Sequence, residues 1–158
     1  MLFTAFAFFA ALVGGAYAAP ASGRTAISAP QGHGQIIVSQ TQLRVTGCLN
    51  ASGLWNVAGD CATFTGDEEG GISGPEGYLL LTEDGITTST SSDTTWLGYY
   101  FDGNSSAKYI SADKTRVNDA SGQILLHADH VPSEAETVPV HASAADNDVA
   151  VYLSWIAQ

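Results

Sequence analysis

The 158-residue chain has four histidines and sixteen acidic residues that could move protons or hold a metal, and three of the histidines lie close together. His127-Ala128-Asp129-His130 is followed by His141. Imidazole nitrogens and a carboxylate oxygen are donors that zinc accepts. The spacing works against a shared site. On an extended strand neighbouring side chains alternate between faces, so His127 and Asp129 project to one side and His130 to the other. Convergence requires the chain to turn back near Pro132. The histidines therefore read as surface groups, and neither a metal site nor a cofactor is expected.

Carboxylates offer a second chemistry. Glu83/Asp84, Glu134/Glu136 and Asp146/Asp148 are paired along the chain. Glycoside hydrolysis uses two carboxyls that face each other roughly 5 or 6.5–9.5 Å apart. With so many acidic residues some pairing arises by chance, and these pairs read as solvated loops. Asp102-Gly103-Asn104-Ser105-Ser106 begins like a calcium loop, but Ala107 stands where that loop needs glycine. It reads as a turn. No motif assigns a catalytic residue, and the chain is expected not to be an enzyme.

Aromatic residues point to binding instead. In Trp96-Leu97-Gly98-Tyr99-Tyr100-Phe101 strand alternation places Trp96 and Tyr100 on one face across Gly98, and Leu97, Tyr99 and Phe101 on the other. The second set reads as core. The first is a candidate stacking platform for an apolar sugar face, the alternative being burial of both faces. Trp55 is a second candidate contact, with packing on the nearby cysteines as its alternative. The net charge of −11, from 16 acidic and 5 basic residues, excludes the clustered cations that nucleic-acid binding uses.

These groups need elements to hold them. Leu2 to Val13 is an apolar run shorter than the roughly 20 residues that span a bilayer, and Ala16-Tyr17-Ala18 supplies a small-x-small cleavage pattern. Residues 1–18 are expected to be a signal peptide, leaving a secreted chain with no membrane partner. Residues 19–34, rich in Ala, Ser, Pro and Gly, read as a flexible leader, and residues 35–158 as one β domain. In a secreted chain Cys48 and Cys61 pair most simply with each other, closing a short loop worth about 3 kcal/mol. Asn50-Ala51-Ser52-Gly53 inside that loop predicts a hairpin turn. Strands are predicted at 36–38, 43–45, 78–82, 86–91, 96–101, 124–128, 137–142 and 149–155, with turns at Glu83-Asp84-Gly85 and Asp102-Gly103-Asn104. In the last run Val149, Val151, Leu153 and Trp155 alternate with Ala150, Tyr152 and Ser154, which predicts a half-buried strand with the apolar set inward. Many short strands and no helical periodicity predict an all-β fold, a small antiparallel sandwich or barrel. Asn50-Ala51-Ser52 and Asn104-Ser105-Ser106 are glycosylation sequons in predicted turns.

Gly47-Cys48-Leu49-x-x-x-Gly53-x-Trp55 with Cys61-Ala62-Thr63-Phe64-Thr65 resembles the opening of the C-terminal β domain of fungal secreted ribonucleases of the T-two family. Ala128-Asp129-His130-Val131-Pro132-Ser133, Val138-Pro139-Val140-His141-Ala142 and Val149 to Trp155 are similar to segments near that domain's end. The resemblance implies a non-catalytic accessory module. The family's catalytic domain carries two histidine segments, one of them His-Trp-Pro-like, and none is found here, so RNA cleavage is not expected. The expected role is binding of cell-wall or other extracellular polysaccharide, with Trp96, Tyr100 and Trp55 as contacts. The alternative is a small secreted effector that binds another protein. An RNA-related function inherited from the ribonucleases is a more remote reading.

Overall fold

The computed structural model describes residues 25–41, 44–100, 108–112 and 125–158. The expected signal peptide, the first part of the leader, and the Asp102–Asn104 turn with its sequon lie outside them. Twelve strands occur among the described residues. They are β1 (Thr25–Ser28), β2 (Gly32–Thr41), β3 (Arg44–Leu49), β4 (Trp55–Asn56), β5 (Phe64–Gly66), β6 (Ile72–Gly74), β7 (Gly77–Thr82), β8 (Gly85–Ser89), β9 (Trp96–Tyr100), β10 (Lys108–Ala112), β11 (Leu126–Ala128) and β12 (Val149–Ala157). The fold is all-β with antiparallel pairing throughout, and the sheet is not closed into a barrel.

The two longest strands, β2 and β12, pair from Gly34↔Ala157 to Ser39↔Tyr152. Each divides its remaining pairing between partners. The first residues of β2 pair with β5 and the last with β3. The start of β12 pairs with β11, and its middle pairs with β10. One arm continues as β5-β6-β7-β8, the other as β10-β9-β1. Residues 25–34, read from composition as leader, are therefore built into the sheet. β1 pairs with β9, and β2 begins at Gly32. Ser, Gly and Pro make an isolated segment look unstructured, yet strand pairing needs only backbone donors and acceptors.

β12 is more deeply buried than its alternation predicts. Val151, Leu153 and Trp155 face the core, but Tyr152 and Ser154 on the opposite face are buried too. Tyr152 meets Tyr109 of β10 edge-on, with ring centroids 6.1 Å apart. A strand flanked by neighbours on both sides can be covered on both faces, and alternation reads only one of them.

The cysteine block folds as a clasped hairpin. β3 and β4 pair at Cys48↔Asn56 and Leu49↔Trp55, and the Asn50 Oδ1 accepts from the Ser52 and Leu54 amides at 3.1 and 3.0 Å to hold the turn. Gly47 has φ +147°, and a side chain there would strike the Asn56 carbonyl; Gly53 has φ +81° and lies against Ile86. The Cys48–Cys61 disulfide has Cα atoms 5.4 Å apart and ties the hairpin to the segment that leads into β5.

Residues 137–142, predicted as a strand, form no ladder. They make single bridges to β4 and β11 and one hydrogen bond to β8. Val138 and Trp55 exchange both backbone hydrogen bonds at 2.9 Å, the Ile86 amide donates to the Val140 carbonyl at 2.8 Å, and His127 and His141 exchange both at 2.8 Å. Pro139 has no amide hydrogen and cannot continue a ladder. Val138 and Val140 nevertheless point into the core. We refer to Val138–His141 as the strap.

Replacing Cys48 and Cys61 together by serine is expected to lower unfolding stability by about 3 kcal/mol. Urea denaturation of the oxidised protein against the double variant measures this, and reduction of the unaltered protein should reproduce the loss.

Candidate functional site

The two tryptophans offered as sugar contacts are not available for that role. Trp96 and Trp55 are both fully buried. The Trp96 Nε1 donates to the Leu79 carbonyl at 3.1 Å, and Trp55 lies where the strap meets β4. The faces of β9 are thus reversed from expectation, with Trp96 inward and Leu97 only half-buried. A large indole gains more from burial than from a half-exposed position. The Tyr100 side chain and Phe101 lie outside the described residues.

What the fold does gather is a group of histidine and aspartate side chains where β11, the strap and the start of β12 meet. The register explains it. His127 lies opposite His141 on one side and opposite Ala150 on the other. One step past the last paired residues of β11 and β12, Asp129 comes opposite Asp148. Opposed residues in an antiparallel pair share a face, and so do residues two apart. His127, Asp129, His141 and Asp148 are therefore directed to the same side.

The distances follow from that placement. The His141 Nε2 lies 3.3 Å from the Asp129 Oδ1 and 3.8 Å from the Asp148 Oδ2. Donor atoms of these three residues all lie within 4.8 Å of one another. The Asp148 side chain is only 7% exposed, and its Oδ2 accepts from the Ala145 amide at 2.7 Å. The His141 Nδ1 donates to the Ser143 carbonyl at 2.6 Å, which fixes the proton on that nitrogen because a carbonyl can only accept. The His127 ring stands nearly parallel to that of His141, with centroids 6.5 Å apart. His127 is 8% exposed, and its Nε2 is buried without a hydrogen-bond partner. Burial pushes its pKa below the ordinary value, the nearby Asp148 charge pulls it up, and His141 adds a further push downward.

His127 and His141 are thus not the surface groups that the sequence suggested, and Asp148 is not a solvated loop residue. His130 is exposed as expected and points away. Its Nε2 donates to the Glu136 Oε1 at 2.8 Å. That bond and the amide of Ser133 hold the Glu136 carboxyl below the usual range. Glu83, Asp84, Glu134 and Asp146 are exposed. Asp148 was paired with Asp146 in the sequence, and its place beside the histidines was missed. Its only signal is its antiparallel register with Asp129, which is unreadable until β11 and β12 are known to pair. No protein family, curated protein or solved structure matches this chain.

The lowered pKa of His127 sets a direction for stability. The unfolded chain takes up more protons than the folded one as pH falls through about 6.5, so folding weakens there. The urea midpoint is expected to drop between about pH 7.5 and 5.5, and the drop is expected to shrink in His127→Leu. An equal pH dependence in that variant would remove His127 as its source.

Proposed function

We propose that this chain is a secreted, non-catalytic binding module whose ligand is an extracellular polysaccharide, held by charge and hydrogen bonds rather than by stacked tryptophans. The observation that carries this reading is the placement of the exposed Asp129 carboxylate, 69% accessible, beside His141 and Asp148. Carboxylate oxygens accept from sugar hydroxyls and pair with the ammonium groups of amino sugars. The net charge of −11 favours a polymer that carries some positive charge. The Cys48–Cys61 bridge agrees with an oxidising compartment, and a glycan on Asn50 would project from the hairpin turn.

The same geometry supports a non-catalytic role. A general base needs a nitrogen free to face its substrate. The His141 Nδ1 is committed to Ser143, and its Nε2 faces two carboxylates. Asp129 and Asp148 come close enough to suggest a retaining glycosidase pair, but the imidazole stands beside both and the Asp148 side chain is only 7% exposed, which argues against that role.

A protein partner is the second reading. It is favoured by Val131, a 40% exposed apolar residue two positions after Asp129. The two readings separate in one experiment. The purified protein is incubated with insoluble chitin, partly deacetylated chitin, β-glucan, cellulose and mannan, with an inert acidic protein as control. Selective retention that falls at least about fivefold in Asp129→Asn, while Val131→Ser retains binding, is expected. Absence of retention on every polymer would overturn the polysaccharide reading.

A further inference from the structure

We propose that His141, Asp129, Asp148 and His127 form a binding site for a divalent metal ion of the zinc class. The proposal concerns the end of the sheet that carries the binding reading above, but it does not rest on the identity of the polymer.

The first argument is a conflict of lone pairs. With its proton fixed on Nδ1 by the Ser143 carbonyl, a neutral His141 presents a bare Nε2 lone pair to two carboxylates at 3.3 and 3.8 Å. Three acceptors facing one another repel. A metal ion bound among them would turn that repulsion into attraction. A histidine whose second nitrogen donates to a backbone carbonyl is the form in which imidazole ligates metals, because the outer bond sets the tautomer and aims the ligating nitrogen.

The second argument is geometric. Donors about 2.0–2.1 Å from a tetrahedral zinc ion lie about 3.3–3.4 Å from one another. The His141–Asp129 separation already has that value; the Asp148 oxygen stands 3.8 Å from the imidazole, with all three donor atoms within 4.8 Å of one another, so this carboxylate closes inward when an ion enters. Two carboxylates and two neutral imidazoles around a dication carry no net charge, which suits a pocket where Asp148 is 7% exposed.

The third observation is independent of these. His127 is more than nine-tenths buried, its Nε2 has no partner, and its ring stands beside that of His141 on the same face. A buried nitrogen without a partner is costly. This nitrogen lies outside the three donors that already converge, and a turn of the ring toward them would supply the fourth and remove the cost. Two imidazole nitrogens with two carboxylate oxygens suit zinc and its first-row neighbours rather than calcium or magnesium, which take oxygen ligands.

The test uses the full secreted chain without a histidine tag, freed of metal by chelation. Zinc chloride is titrated calorimetrically at about pH 7.5, where ligating histidines are neutral, with calcium chloride as control and no polymer present. One equivalent of zinc is expected to bind, with no saturable calcium binding. Asp129→Asn, His141→Ala and His127→Ala are each expected to weaken zinc binding at least about tenfold, while His130→Ala leaves it unchanged. Should the buried variants fail to fold, the exposed Asp129→Asn still tests the site. Long-range proton–nitrogen spectra of the unaltered protein provide a second readout. Zinc should shift the ring nitrogens of His127 and His141 and leave those of His33 and His130 in place. Absence of zinc binding, or binding indifferent to Asp129→Asn, overturns the site. Loss in His141→Ala without loss in folded His127→Ala overturns the assignment of the fourth donor. Polymer retention is measured separately without added metal, so failure of either experiment leaves the other reading standing.

Discussion

The antiparallel pairing of β2 with β12 is the constraint on which the remaining structure depends. These strands lie far apart in sequence, and their ladder runs from Gly34↔Ala157 to Ser39↔Tyr152. Every other ladder begins from one of them or from a strand already attached to one. A long-range ladder of this kind brings its chain-closure cost forward and recovers it only when side chains pack across it. The packing is present on both faces. Ile36, Val38, Leu153 and Trp155 bury apolar surface while Ser39 and Ser154 sit in the same ladder nearly out of water. The short strands β4, β5, β6 and β11 could not persist alone, being two or three residues each.

The strap then turns an extended sheet into a place with an inside. Its backbone meets β4 at Val138, β8 at Val140 and β11 at His141, while its two valines enter the core. The contact at Ile86 also covers part of the outer edge of β8, an edge that otherwise offers unpaired amides to another chain. A ladder strand would have spent its hydrogen bonds on one neighbour. Pro139 interrupts that option, and the freed geometry lets consecutive residues reach three partners. The functional side chains come together because the last of these bridges falls at His141, directly opposite His127.

Much of the architecture was legible in the sequence wherever one residue pattern had one physical meaning. Asn50 to Gly53 marked a hairpin turn, the cysteines marked a clasp, and Val149 to Trp155 marked a strand. The strands that escaped notice are those where composition and pairing disagree. β1 and the first residues of β2 lie in a segment whose composition reads as leader, β5 and β6 are too short to show periodicity, and β10 was not read as a strand either. The direction in which Trp96 faces was also unreadable, since a row of aromatics alternates equally well either way and only the position of the opposite sheet decides. The histidine site was half legible. Alternation rightly separated His130 from His127 and Asp129, but the inclusion of Asp148 depends on a strand register that no local pattern encodes.

The two histidine–carboxylate groups show why location matters more than residue type. His130 and Glu136 meet at 2.8 Å with roughly half of each side chain in water. Solvent screens that pair, and its loss or gain of a proton has little consequence for the fold. Around His141 the same chemistry is enclosed. Asp148 is held out of water with one backbone amide for its Oδ2, and the imidazole proton that might have neutralised it is turned toward Ser143. A buried carboxylate without compensation is expensive, because the interior cannot replace the water it lost. The fold has therefore concentrated negative charge and directed lone pairs at a point where it supplies no permanent cation of its own among the described residues. A cation entering that point from solution would bind β11, the strap and β12 together at once.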